Sequence, residues 1–383
     1  MKKPLTNLQL AAVASAVLPR ERINATCEPT YRDDDIALQG VTTDNGEKYL
    51  VTCPLGNDAS TDLQTQEPLL NALHSLYRRS LLSFDVPVPI GFTRLRTGQK
   101  AMVAKGFDAP LLESIATGTT TVGTSFSFSE GNNTPDTNSG SLFPIQAWAK
   151  PLAIALASLH RTELQDVASA SLPINDAASI RQELHHALAQ GKASGHIPQT
   201  VSKRWQQRLD NPSLWRFSSV LIHSNIAPTC VFGSADGIVG ICDWGEAQFG
   251  DPAVDLAAVL SGATPKFSKE FYRVYRLQRR SGVDGGLESR VELMAELAIL
   301  RWLLHGLECK DAEIINDAAT MMTELNNTLE QEATSYPDNR KSLKDVPSDS
   351  HEPTQALPTI RETDNDEALT EAVHISDIDG KNK

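Results

Sequence analysis

The sequence is poor in cysteine, with five in 383 residues, and no two of them form a C-x-x-C pair. Such a set does not suit a disulfide framework, and it predicts reduced, mostly buried thiols of a cytoplasmic protein. No stretch approaches the roughly 20 apolar residues of a membrane span. Positive charge is also scarce. The formal net charge of −13 argues against nucleic acid or an anionic membrane as a partner.

The most informative stretch runs from 221 to 257 and reads LIHSNIAPTCVFGSADGIVGICDWGEAQFGDPAVDLA. It begins as an apolar strand that ends at His223. Two further apolar runs flank Ser234-Ala235-Asp236-Gly237, whose Asp-Gly pair is typical of a hairpin turn. The second run ends at Asp243-Trp244-Gly245, and Gly250-Asp251-Pro252 then begins a helix, with an acid at the cap and proline in the first turn.

This layout resembles the aminoglycoside and macrolide phosphotransferases, small-molecule kinases with a protein-kinase-like fold. Their catalytic loop reads H-G-D-x-x-x-x-N, an aspartate after the next hairpin binds metal, and G-D-P-x-x-D-L-A follows. Eight positions match in type and spacing, namely His223, Asp243, Trp244, Gly245, Gly250, Asp251, Pro252 and Asp255. The resemblance implies an α+β fold of two lobes, a small β-rich N-lobe and a larger, mainly helical C-lobe.

Two departures from the family pattern fall where phosphoryl transfer needs particular groups. Asn225 stands at the position of the catalytic aspartate, and Cys230 at that of the second metal ligand, normally asparagine. A carboxamide cannot accept the proton of a substrate hydroxyl, which removes a factor of roughly 10²–10⁴ in rate. Cysteine is a soft ligand, whereas Mg²⁺ demands hard oxygen donors. Asp243 is retained as a metal-type position and could by itself still hold one metal ion. We expect the site to be impaired.

Two further residues of this stretch receive supporting roles. In the family the residue at His223 mainly supports the loop, so we expect it to be structural here. Glu246 is the nearest spare carboxylate and is the candidate substitute for the missing base.

Upstream, residues 35–105 alternate between short apolar runs and turns. Strands are predicted over Ile36–Val41 and Lys48–Cys53, joined by a hairpin turn at Asp44-Asn45-Gly46, and over Pro87–Phe92 and Ala101–Lys105. Between them, five apolar residues share one face of a helix, namely Leu69, Leu70, Leu73, Leu76 and Tyr77. Strands around one helix resemble the small lobe of a kinase.

That lobe normally carries a strand lysine or arginine for the phosphates and a helix glutamate that holds it. Aligned on Pro54, the cation position is Thr52, and Lys48 lies four residues away on the same strand face as a candidate substitute. Glu67 matches the glutamate, but Pro68 after it predicts that the helix starts or kinks there. No G-x-G-x-x-G loop is present. The nucleotide-type lobe is therefore expected to be eroded as well.

Periodicity and composition divide the rest of the chain. Leu10, Val13, Ala14 and Val17 favour an N-terminal helix docked on the first lobe over a short signal peptide. Helices are also predicted around 152–160, 180–189, 201–209, 267–277, 287–307 and 312–329. Residues 332–383 carry twelve acidic and six basic side chains with few apolar ones, which predicts disorder. The expected segments are 1–30 (N-terminal helix and lead-in), 31–114 (small nucleotide-type lobe), 115–142 (low-complexity insertion), 143–330 (helical lobe with the catalytic-loop-like motif) and 331–383 (disordered acidic tail).

Three hypotheses about function follow. The first is a pseudokinase of the aminoglycoside/macrolide phosphotransferase type that binds a ligand or partner and transfers nothing. The second is an active ATP-dependent phosphotransferase for a small hydroxylated molecule, because positioning and electrostatics contribute most of phosphoryl transfer. The third is an interaction scaffold that works through its acidic tail. The resemblance implies ATP with Mg²⁺ as cofactor, bound weakly or not at all, and leaves open whether the partner is a small molecule or a protein.

Overall fold

The computed structural model describes residues 6–32, 36–55, 57–96, 98–117, 141–280 and 282–335. Its first part is a five-stranded antiparallel sheet of order β1-β2-β3-β5-β4. The strands are β1 (Ile23–Arg32), β2 (Ile36–Thr43), β3 (Lys48–Pro54), β4 (Pro89–Arg94) and β5 (Lys100–Lys105). Two helices accompany the sheet, α1 (Asn7–Val17) and α2 (Asn57–Arg78).

The two faces of this sheet bury different residues because side chains alternate along a strand. On one face, Leu10 and Ala14 of α1 pack in a cluster with Val41 and Val51. On the other face, strand leucines such as Leu50 join the leucines of α2 in the main core. The predicted N-terminal helix on the first lobe is therefore confirmed.

β1 was not predicted, because residues 23–32 show no apolar alternation and contain Pro29. It is an edge strand that pairs only with β2, and its register shifts between Cys27 and Thr30. Proline is tolerated at a sheet edge because it has no N–H to contribute to the ladder. The strands predicted around the two hairpins and β5 are confirmed with small changes of boundary.

Of the two alternatives predicted at Pro68, a helix start or a kink, the start is wrong, since α2 begins at Asn57 and continues through the proline. An internal proline removes one helical hydrogen bond. The apolar face of the helix offsets this cost, because Leu63, Leu69 and Leu73 are each at most 1% exposed.

The second part of the chain is mainly helical. Its helices are α3 (Leu112–Ala116), α4 (Ala149–Leu159), α5 (Ala177–Ala193), α6 (Gln199–Asp210), α7 (Ala253–Leu260), α8 (Pro265–Arg279), α9 (Leu287–Cys309) and α10 (Ala312–Ser335). Short strands pair as β6 (Val220–Ile222) with β9 (Gln248–Gly250), and β7 (Val231–Gly233) with β8 (Ile238–Ile241). The two-lobed arrangement and the predicted large-lobe helices are confirmed.

One apolar core joins the two lobes. It includes Leu38 and Leu50 of the small-lobe sheet together with Phe232 and Trp244 of the large lobe. Most of the predicted insertion and of the acidic tail lies outside the described residues. Within the described ranges, no helix combines the length and apolar character needed to cross a membrane.

Candidate catalytic site

The loop that follows β6 is held by a carboxylate from α7. Asp255 accepts the backbone N–H of His223 on Oδ2 at 2.9 Å and that of Ser224 on Oδ1 at 2.8 Å. The His223 ring donates from Nε2 to the carbonyl oxygen of Cys242 at 2.9 Å, and the residue is completely buried. His223 and Asp255 thus position the loop, and neither faces a substrate.

A second layer of buried polar groups holds Asp255. His160 lies 3.1 Å from the Asp255 carboxylate through Nε2 and 2.7 Å from the Tyr275 hydroxyl through Nδ1. Burial lowers the pKa of His160, against the opposing effect of Asp255. Burial alone would raise the pKa of Asp255, but the hydrogen bonds from the His160 ring and from the backbone N–H of His223 lower it overall. An ionised Asp255 beside a neutral imidazole assigns the ring proton to Nε2 and makes the tyrosine hydroxyl the donor to Nδ1.

At the tip of this loop, Asn225 lies beside Asp243. The amide Nδ2 of Asn225 is 3.4 Å from Oδ2 of Asp243. Both loop turns use left-handed backbone, with φ of +71° at Ser224 and +67° at Asp243. Such values cost energy for residues other than glycine and persist where the surroundings fix them. The structure therefore brings together the family's base position, which is the amide of Asn225, and the predicted metal position, which is the carboxylate of Asp243.

Cys230 lies close to the same loop but is directed into the protein. Its thiol is buried and donates to the carbonyl oxygen of Ala227, with 3.1 Å between Sγ and O. Burial, reinforced by the charge of Asp243, raises the pKa of this thiol to about 12. A protonated thiol is not a metal ligand. Among the described residues no group of three His, Cys, Asp or Glu side chains is arranged to hold a metal ion. Mg²⁺ is usually bound through one or two carboxylates together with waters and substrate phosphates, and Asp243 is the carboxylate that the described cleft lining offers.

The cleft between the lobes opens in front of Asp243, and its free space is only about 30 Å³. Ligand pockets usually measure roughly 300–1,000 Å³. The lining residues are Ile36, Leu38, Leu50, Thr52, Leu63, Gln66, Leu70, Pro87, Met102, Cys242, Asp243 and Trp244. This lining contains one carboxylate and no lysine, arginine or histidine in the part of the chain that the structure describes.

Two of the predicted nucleotide-lobe residues lie away from this cleft. Glu67 is exposed on α2, and the neighbouring Gln66 is the residue that is buried in the cleft. Lys48 pairs with Asp108 after β5 at 3.0 Å, and four extended residues separate it from Thr52 by about 13 Å. Thr52 does line the cleft, whereas Glu246 is exposed after the Gly245 turn.

Gln66 was missed in the sequence, although a signal for it is present. It falls on the same helical stripe as Leu63, Leu70 and Leu73, which are all buried. A Cβ atom added at Gly245 would lie 3.4 Å from Nε2 of Gln66, so the amide reaches the metal-type turn. Counting the stripe backwards from the leucines therefore selects Gln66, and Glu67 falls outside it.

Residues 41–293 match the family model described as "Phosphotransferase enzyme family". A curated relative, the uncharacterized protein YcbJ of Bacillus subtilis (strain 168), is 28% identical over 114 residues, which cover 30% of this chain and 37% of that protein. The match thus spans little more than a third of that relative's length.

Two solved structures illustrate the shared fold. Macrolide 2'-phosphotransferase MphH from Brachybacterium faecium, as apoenzyme, has a TM-score of 0.62 at 19% identity, covering 82% of this chain and 97% of its own. The GDP complex of wild-type aminoglycoside 2'-phosphotransferase-IIIa also has a TM-score of 0.62, at 15% identity, covering 87% of this chain and 100% of its own. Both show the fold alone.

Proposed function

This chain belongs to the phosphotransferase enzyme family, and we propose that it is a pseudokinase, a member that binds a ligand or a protein partner without transferring phosphate. The observation that carries the proposal is the chemistry of the cleft. At each of three positions where the family pattern has a charged or metal-binding group, the structure has a neutral one, namely Thr52, Asn225 and Cys230. The glutamate position, Glu67, is exposed and lies outside the cleft lining.

The first step that such a site fails to support is deprotonation of an acceptor. Asn225 is exposed at the loop tip, where a hydroxyl group would approach, but its amide cannot take up a proton. The neighbouring carboxylate, Asp243, already accepts a hydrogen bond from that amide. An acceptor bound here is positioned without being activated.

The second step concerns the phosphates. A triphosphate carries several negative charges, which kinases neutralise with metal ions and a lysine. The described lining offers one carboxylate and no cation. Electrostatics therefore disfavour a polyphosphate and favour a neutral or cationic ligand.

The charges of the two small-lobe elements are absent from the cleft together. In an active member the strand cation and the helix glutamate neutralise each other, and removing one of them would leave a buried charge unpaired. Here the cation position is the neutral Thr52, the glutamate position Glu67 is exposed to solvent, and the neutral Gln66 lines the cleft beside it. Neither element leaves a buried charge unpaired in the cleft, which suits a stable binding protein better than a damaged enzyme.

An active ATP-dependent phosphotransferase is the second candidate, because the scaffold of the loop is intact. Asp255 still holds two backbone N–H groups of the loop, and Asp243 remains at the metal-type turn. Solved relatives include complexes with GDP and with ADP. By analogy, a nucleotide would bind here weakly. Phosphate transfer would then be accelerated by holding the nucleotide and the acceptor in the reactive geometry.

A thermal-shift titration separates the two candidates. The full chain is titrated with ATP, with and without Mg²⁺, and with adenosine, while phosphate release is followed in parallel. The pseudokinase proposal expects no phosphate release and no Mg²⁺-dependent rise of the midpoint, since only binding to the folded state stabilises. The enzyme is established instead if ATP with Mg²⁺ raises the midpoint and phosphate is released. At an ATP concentration of 100 Kd, the gain in the free energy of unfolding should approach about 2.7 kcal/mol.

A further inference from the structure

A second group of chemically active side chains lies far along the chain from the cleft, on the exposed face of α9. Trp302, His305 and Cys309 are all exposed there, at spacings of three and four residues that place them on one face of a helix. Of the five cysteines, Cys309 is the exposed one, whereas the others are buried or partly buried. The pair His305 and Cys309 thus presents an imidazole and a thiol to solvent, one turn apart.

The distance between these two donors suits a shared metal ion. The Cys309 Sγ lies 3.8 Å from Nδ1 and 3.8 Å from Nε2 of His305. In a tetrahedral zinc site with Zn–S of about 2.3 Å and Zn–N of about 2.0 Å, the two donor atoms are about 3.6 Å apart. A small rotation of either side chain therefore places both donors on one ion.

The imidazole is held in place by its neighbours. The Trp302 ring stacks on the His305 ring, with 5.6 Å between centroids and 19° between planes. Trp302 is itself anchored, because its Nε1 donates to Oδ2 of Asp317 on α10 at 2.8 Å. The stacked indole therefore limits the orientations that the His305 ring can adopt.

One chain supplies only half of the coordination that such an ion requires. A tetrahedral thiolate–imidazole site needs four ligands, and the described residues hold no group of three. A second copy related by a two-fold axis would present the same patch, since a two-fold interface is self-complementary. Trp302, which is 39% exposed and stacks on His305, supplies apolar surface for that contact.

We propose that His305 and Cys309 form half of a soft-metal site, which binds Zn²⁺ or a similar thiophilic cation between two copies of this chain. Each copy contributes one sulfur and one nitrogen, which completes a tetrahedral N₂S₂ set. Coordination replaces the thiol proton of each Cys309, so that two protons leave to solvent for each metal ion bound.

The test uses the full chain, freed of metal by a chelator and kept under a non-thiol reductant. Co²⁺ is the probe, because its thiolate bond and its tetrahedral geometry have distinct absorption bands. We expect thiolate-to-cobalt charge-transfer and tetrahedral d–d bands that saturate at one metal for two chains. Light scattering with Zn²⁺ should show the mass double, and the chelator should restore the monomer.

Matched variants decide the assignment. His305→Ala and Cys309→Ser should each abolish the cobalt bands and the metal-dependent dimer, whereas His196→Ala, an exposed histidine on another segment, should leave both unchanged. Bands that persist in Cys309→Ser would overturn the site, because the four other cysteines remain in that variant. A saturating thiolate band at one metal per chain without dimerisation would overturn the bridging. A dimer that only the reductant removes would be a disulfide and would also overturn the proposal.

Discussion

The side-chain amide of Asn225 donates a hydrogen bond to the carboxylate of Asp243, with 3.4 Å between Nδ2 and Oδ2. The family pattern has an aspartate at each of the two positions, and here a neutral donor meets the carboxylate directly. The contact therefore forms without a cation between the two side chains.

Asn225→Asp should make the fold respond to divalent ions. Two carboxylates about 3.4 Å apart repel by about 1 kcal/mol in an exposed setting, and the free energy of unfolding should fall by about that amount at low ionic strength. Mg²⁺ should restore it in the variant and have no effect on the parent. Chemical denaturation with and without Mg²⁺ measures this, with the exposed Asn316→Asp as control for an added charge. An equal response of the two variants to Mg²⁺ would contradict the prediction.

Restoring the charged groups should restore chemistry. The variant Thr52→Lys, Gln66→Glu, Asn225→Asp, Cys230→Asn supplies a cation, its partner, a base and a hard metal ligand. ATP hydrolysis should rise by at least about 100-fold over the parent. The matched control omits Gln66→Glu and keeps the natural Glu67. If this control is as active as the full variant, Glu67 serves as the partner after all, and the placement of Gln66 has no functional meaning.

Trp244 should contribute to stability through burial. Its ring is 1% exposed, lies against His223 and Phe84, and donates from Nε1 to the Ile241 carbonyl oxygen at 2.8 Å. Trp244→Ala should lower the free energy of unfolding by about 3 kcal/mol or more. Trp302→Ala, at a ring that is 39% exposed, is the control and should cost clearly less. Equal losses would show that Trp244 is not part of the core.

Gly240 and Gly237 form a matched pair on the hairpin of β7 and β8. A Cβ atom at Gly240 would overlap the ring of Phe107, which itself packs 4.8 Å from Phe232 between ring centroids. An alanine at Gly237 would meet no atom within 4 Å. Gly240→Ala should therefore cost about 1–3 kcal/mol, and Gly237→Ala should change stability by less than about 0.5 kcal/mol. Urea denaturation of both variants checks this, and similar values for the two would contradict the packing of Phe107.

His160 should make stability depend on pH. Burial lowers its pKa below the ordinary value of 6.5, so the folded state stays neutral while the unfolded chain takes up a proton. The stability that the neutral His160 contributes is therefore fully present above pH 6.5. It is lost as pH falls below that value, by up to about 1.4 kcal/mol per pH unit. The lowered pKa of Asp255 adds a further loss below about pH 3.8.

His160→Gln isolates the histidine contribution, because a carboxamide can donate to Asp255 without titrating. The variant should lose the slope that begins below pH 6.5 and keep the loss below about pH 3.8. His196→Gln, at an exposed histidine, should keep the slope of the parent. An unchanged slope in His160→Gln would show that the ring is protonated in the folded protein.

The sequence by itself determined the two-lobed fold. The eight motif residues occur at fixed offsets, and the helical and strand periodicities can each be recognised within a short segment of the chain. It also located Asn225, Cys230 and Asp243, since their places in the loop and after the hairpin follow from chain order. It did not predict β1, whose only partner is β2 and whose residues do not alternate.

Only the tertiary structure decided which side chains face the cleft. Gln66 and Glu67 are adjacent in the chain but point in directions that differ by about 100° around the helix axis. Gln66 is therefore buried, whereas Glu67 is exposed to solvent. Lys48 and Thr52 share a strand face, but Asp108, sixty residues away in sequence, holds the lysine at the far end of that strand. Likewise, the pairing of Asp255 with the loop amides joins residues 32 apart. Such contacts depend on how elements pack, and no local pattern encodes them.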